Sequence, residues 1–216
     1  MMLNCKNKLV TMLSQKCQCK IFTIAFALLA LVGCATDNSS VAATSKANAS
    51  NSNSAFAADA SPSLAQLIAN KGSMTTALKS LHHDFTVQLL KTGVEDNNYV
   101  RISSLKLDGT PVLAAITSTN LNNPTFVNIL KNASTTPIGQ MLFAPNAQIY
   151  RRDNMQIKTI DIRFIQNSCI YTYLTKTLGY QGDRKIVVRQ SQFYHQNETL
   201  DITEYILPSI TQFTSK

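Results

Sequence analysis

Residues 200–208, Leu-Asp-Ile-Thr-Glu-Tyr-Ile-Leu-Pro, constrain the fold more than any other stretch of the chain. Their alternation has the period of a β-strand and puts Leu200, Ile202, Glu204 and Ile206 on one face. Three of these four are apolar, so that face belongs against a core, and Glu204 stands where a charge is expensive. A buried carboxylate must be paired, hydrogen-bonded or protonated. Asp201, Thr203 and Tyr205 alternate to the other side, which reads as the wet face of an antiparallel sheet. The plainer alternative is an edge strand that turns Glu204 to solvent, where most glutamates sit.

The N-terminus reads as an address. Residues 21–33, IFTIAFALLALVG, are uncharged and follow four lysines, and 13 residues are too few for a span of about 20. They end in Leu31-Val32-Gly33-Cys34, which resembles the bacterial lipobox, so Cys34 is the expected lipidation site and residues 1–33 the signal peptide. Met12 is an alternative start. Ala35 after the cysteine implies the outer rather than the inner membrane. Residues 34–61 are Ser, Ala, Asn and Thr with one aromatic, too little to bury a core, and read as a flexible tether. Cys5, Cys17 and Cys19 precede the cleavage point. Cys169 is then the one cysteine left without lipid, expected as a small apolar filler with no disulfide.

The chain of 216 residues carries 20 Lys and Arg against 12 Asp and Glu, and its net charge of +8 falls to +4 over residues 34–216, because the first 33 hold four lysines and no acid. No basic run interleaved with aromatics occurs, which argues against nucleic acid as a partner. No set of residues has metal-ligand spacing, and no cofactor is implied. Residues 62–216 form the expected domain, with strands over 84–92, 99–107, 111–117, 148–164, 169–175, 185–194 and 200–208. Short helices are expected near 64–70, up to about 81, from Pro124 and from Pro137. This is α+β: an antiparallel sheet with short helices on one side. Asp108-Gly109 marks a hairpin. Arg101 stands on the second strand among apolar neighbours, either a surface arginine or a two-pronged anion donor. Gly139 in a helix's first turn lets something approach the backbone, and free N–H groups there suit an anion. His82 and His83, being adjacent, are expected at a solvated helix end.

Taken in order, several segments resemble bacterial chorismate lyase. They are Gly72-Ser73-Met74-Thr75, the strand through Val87-Gln88-Leu89-Leu90-Lys91-Thr92-Gly93, Arg101, Leu107-Asp108-Gly109-Thr110-Pro111, Thr136-Pro137-Ile138-Gly139, and the closing Thr203-Glu204-Tyr205-Ile206-Leu207-Pro208. The resemblance implies elimination of pyruvate from chorismate to leave 4-hydroxybenzoate, without metal or cofactor. By position it implies Arg101 on the ring carboxylate and Glu204 on the hydroxyl, with Met74 and Ile138 lining the pocket through their backbone. Glu204 is then expected to act through a raised pKa.

This chain departs from the family in three places. Only residues 94–98 precede the arginine strand, so part of the pocket cover is shortened. Residues 154–186 run long and are expected to replace it. Arg189-Gln190-Ser191-Gln192 stands where the family has a more basic run, which leaves Arg189 to serve substrate. Chorismate is a cytoplasmic metabolite, so three readings stay open: a lyase, a lipid-anchored module binding a small aromatic or cyclic carboxylate, and a structural envelope lipoprotein with a relic pocket. A monomer is expected.

Overall fold

The computed structural model describes residues 62–214 apart from Asn146, Gln148 and Ile149. The expectations for residues 1–61, including the lipid on Cys34 and the boundaries at 33 and 61, lie outside the described residues.

Two helices open the domain, α1 (Pro62–Ala69) and α2 (Met74–Leu81). Ser73 caps α2 by accepting from the Thr76 amide. Three strands follow: β1 (Phe85–Glu95), β2 (Asn98–Leu107) and β3 (Thr110–Asn120). The turn at Asp108-Gly109 has φ of 47° and 69°, which the two-residue hairpin requires. Helices α3 (Pro124–Asn132) and α4 (Ile138–Leu142) lead to β4 (Arg151–Asp161). A run of short helical turns spans 162–177, and β5 (Lys185–His195) and β6 (Glu198–Ile206) complete the sheet.

The sheet runs β1-β2-β3-β6-β5-β4, antiparallel throughout. It is two three-stranded meanders joined through β3 and β6: short hairpins link β1 to β2, β2 to β3 and β5 to β6, the 162–184 segment links β4 to β5, and a helical crossover leads from β3 to β4. The α+β architecture expected from the sequence is the one observed, with α1 to α4 together on one face. There α1 and α2 pack Leu64, Leu67, Met74 and Leu78 onto Leu105, Leu113, Val187 and Ile206. Helices α3 and α4 pack Phe126, Leu130, Ile138 and Leu142 onto Phe193 and Leu200. The turn between β5 and β6 fastens α3, because Glu198 accepts from the amides of Thr125 (3.3 Å) and Phe126 (3.2 Å) at the positive helix start.

Three elements differ from the sequence expectation. Residues 169–175 are helical, not a strand: Ile170 and Leu174 are both fully buried and lie four apart, so one helix face meets the core. Strand β1 runs through Gly93 to Glu95: the ladder continues across Gly93, whose φ of 155° is open to glycine, and so it is not a stop. The long segment after β4 does not cover the Arg101 side of the sheet. Ile162, Ile170 and Leu174 pack on Val100, Ile102, Ala114, Val188 and Tyr205, which alternate to the reverse face. Tyr173 donates to Ser104 Oγ (2.8 Å), the neighbour of Ser103 that points backward. Tyr205 is therefore 5% exposed and not on a wet face. Cys169 is half-buried beside this cluster and disulfide-bonded, which departs from the expected filler.

Candidate functional site: an arginine-lined cavity

Strand pairing assembles the site. Glu204 on β6 lies directly opposite Arg189 on β5 and Ala115 on β3, and Ala115 lies opposite Ser103 on β2. One step along, Arg101 lies opposite Thr117 and Thr117 opposite Ile202. All share the face that carries the helices. Ser103, Ala115 and Thr117 are small, so the sheet floor dips between the two apolar clusters. By strand spacing and rise, the backbones of Arg101 and Glu204 stand roughly 12 Å apart across that dip. The cavity above it is about 50 Å³ and is lined by Arg101, Arg152 and Glu204 with Met74, Ile138, Phe143 and Phe193 among its walls.

Arg101 is 2% exposed. Its Nη1 donates to Ser103 Oγ (3.2 Å), and its Nη2 donates to the carbonyls of Ser134 (2.9 Å) and Thr136 (3.1 Å), in the loop between α3 and α4. Nε is buried without a partner. Among the described residues no carboxylate pairs with Arg101. Burial alone pushes its pKa down, and no neighbouring charge offsets that; guanidinium nonetheless stays protonated.

Glu204 is held differently. Its Oε2 lies 3.1 Å from Arg189 Nε and 3.5 Å from Arg152 Nη2. The Arg189 contact is close in distance but off the axis of a hydrogen bond. Glu204 Oε1 accepts nothing among the described residues. Burial pushes the pKa of Arg189 and Arg152 down, and Glu204 pulls both back up. Glu204 is thus a paired carboxylate, one of the outcomes that its place on an apolar face requires. Two guanidiniums hold it as an ion-paired acceptor.

Arg189 does not line the cavity. Its side chain is fully buried beneath it, donating to the carbonyls of Leu67 (3.2 Å) and Ile68 (3.3 Å) at the end of α1. It is a support for Glu204 and a cap for α1. Met74 and Ile138 line the cavity, each as the first residue of its helix. Gly139 explains why both helix starts reach it. A Cβ there would sit 2.9 Å from Ser73 Oγ and 3.0 Å from Thr75 Oγ1, so glycine lets α4 close onto the start of α2.

Arg152 is the residue the sequence reading missed. It stands on β4 opposite Phe193, with its guanidinium 5.5 Å from that ring. Its Nη1 donates to the carbonyls of Lys71 (3.1 Å) and Gly72 (3.0 Å). Counting alternate residues back from Ile157, which faces the helices opposite Arg189, points Arg152 the wrong way. A bulge between Asp153 and Gln156 adds one residue to β4 and reverses the parity. Asn154, with φ of 50°, sits in that bulge. The only sequence signal is Asn154, between Asp153 and Met155, in an alternating run.

The cavity is smaller than the roughly 150 Å³ that admits a benzene ring. Phe143, 40% exposed and edge-on to Phe193 at 5.6 Å, is a wall of the cavity that also reaches solvent. Among the described residues no group of three or more His, Cys, Asp or Glu could hold a metal ion, and no helix is long and apolar enough to cross a membrane.

No family model matches the chain, and no curated protein matches it. Several solved structures are similar in outline. The gene product SA0254 of Staphylococcus aureus shares 8% identity at a TM-score of 0.45, over 64% of this chain and 89% of its own. The ligand-binding domain of a Bordetella bronchiseptica regulator assigned to the GntR family shares 10% at 0.41, over 58% and 87%. The C-terminal domain of a histidine utilization repressor from Pseudomonas syringae shares 10% at 0.38, over 58% and 92%. At such identities and scores these likenesses carry nothing about the cavity.

Proposed function

We propose that the domain binds a small aromatic or cyclic carboxylate in the cavity between Arg101 and Glu204, as the resemblance to chorismate lyases implies. The observation that carries this reading is Arg101, a buried guanidinium with an unmet Nε and no carboxylate partner among the described residues. A buried cation without a counterion is costly, and a ligand carboxylate supplies the missing charge. Glu204 Oε1 then accepts from a hydroxyl at the ligand's far end. The two converging helix starts add positive potential to the same space.

Lyase turnover is the second reading. Arg152 favours it, because it provides a cation beside Glu204 where the Arg189-Gln192 segment has lost charge. Against it stands the ion pairing of Glu204, which suits an acceptor better than an acid. The proposed lipid on Cys34 and outer-membrane location place the domain away from cytoplasmic chorismate, and binding without turnover is the reading we favour.

The test mixes the protein with chorismate while following pyruvate, and separately measures thermal unfolding with 4-hydroxybenzoate. Stabilisation of about 2.7 kcal/mol is expected at a hundredfold excess over Kd, and Arg101→Met should cut it to below about 1 kcal/mol. Pyruvate release would establish the lyase. Neither response would favour the structural lipoprotein.

A further inference from the structure

We propose that Arg152 reads the far end of the ligand and selects an oxygen that accepts a hydrogen bond there. This deepens the carboxylate-binding reading and rests on it.

Two arginines flank Glu204, but only Arg152 lines the cavity. Its guanidinium is fixed on three sides. Nη1 is anchored on the Lys71 and Gly72 carbonyls, Cζ lies over the Phe193 ring at 5.5 Å, and Nη2 faces Glu204. At 3.5 Å that last contact is long for a charge-assisted bond, which closes to about 2.7–2.9 Å when well made. Nε is buried and has no partner. Anchored, only 11% exposed along its side chain and incompletely met, Arg152 still has donor capacity to offer at the Glu204 end.

The two side chains ask different things of a ligand. Glu204 Oε1 accepts, so it takes the proton of a hydroxyl or of an amino group equally. Arg152 only donates, so it needs a lone pair. A phenolic or ether oxygen has one available. An aromatic amine has delocalised its own into the ring and is a poor acceptor. Glu204 alone would therefore leave hydroxyl and amino ligands nearly equal, and Arg152 separates them. The bulge in β4 is what turns this side chain inward, so the selectivity is built by one extra residue in an edge strand.

Calorimetric titration of the full chain with benzoate, 4-hydroxybenzoate and 4-aminobenzoate tests the proposal. The unaltered protein should prefer the hydroxy over the amino compound by about tenfold. In Arg152→Met, which keeps the stem against Phe193, that ratio should fall to near one while benzoate affinity changes little. Arg152→Lys should restore part of the preference. The proposal is overturned by a protein that shows no hydroxy preference, by a ratio that survives Arg152→Met, or by loss of all three ligands in proportion, which would give Arg152 only a structural role. If the unaltered protein takes none of the three, the carboxylate-binding reading falls and this inference falls with it.

Discussion

The two faces of one sheet have opposite characters, although they are built from alternate residues of the same strands. Ser103, Ala115, Arg189 and Glu204 face the helices, and their immediate neighbours Ser104, Ala114, Val188 and Tyr205 face the 162–177 segment. The rear face is sealed by Ile162, Ile170 and Leu174, all fully buried, at about 1.5–3 kcal/mol each. Its one internal polar contact among those residues, Tyr173 with Ser104, is complete. The front face gathers three arginines and one carboxylate around a dip, and leaves nitrogens of all three without hydrogen bonds. A protein that only needed a stable sheet would have made both faces like the rear. Buried guanidinium nitrogens without hydrogen bonds gather on the front, whereas the buried carboxylate on the rear parity, Glu95, is ion-paired with Lys91, and this contrast supports placing the proposed ligand at the front.

The largest test of that contrast is Glu204→Gln. It leaves Arg189, which is fully buried, and Arg152 without a counter-charge, so denaturant unfolding should show a loss of about 3–5 kcal/mol. A loss below about 1 kcal/mol would mean that the front-face pairing holds nothing together. The rear face should respond to alkali instead. Burial pushes Tyr205 up to about 12 from an ordinary 10.0, so the unfolded chain loses this proton first. Its contribution is whole below pH 10 and drains away as pH rises from 10 through 12, by roughly 2–3 kcal/mol. Tyr205→Phe should flatten that decline in a stability-against-pH profile, and an unchanged profile would contradict a dry rear face. Gly139→Ala sharpens the comparison at smaller scale. Its methyl group would push against Ser73 and Thr75, at about 1–3 kcal/mol, and should weaken ligand binding through the displaced start of α2. An equally stable variant would show that the two helix starts need not meet.

Much of this was legible in the chain. Period 2 over residues 200–206 assigned Glu204 to the buried face, and Asp108-Gly109 marked the hairpin that sets Arg101 in register. The pocket-lining positions Met74 and Ile138 came from the resemblance, because nothing in a helix's first residue announces a cavity. Other features were not legible, for physical reasons. Alternation cannot be counted through the bulge at 153–156, so nothing in the sequence singled out Arg152. Pairing partners are non-local, so the Arg189 and Arg152 contacts that commit Glu204 as an ion-paired acceptor were invisible in its own strand. The rear-face segment alternates weakly enough to pass for a strand, and only its packing shows that it is helical. Tyr205 looked wet for the same reason, since its cover lies some thirty residues earlier in the chain.

Arg101 carries the central claim, and one comparison addresses it most directly: calorimetric titration of 4-hydroxybenzoate into the unaltered protein and into Arg101→Met, at one salt concentration and with folding verified in both. The account predicts saturable binding that weakens by roughly 30- to 150-fold in the variant, the worth of a hydrogen bond to a charged group of about 2–3 kcal/mol. Equal affinity in the two proteins would contradict it and would leave Arg101 as a brace for the loop between α3 and α4.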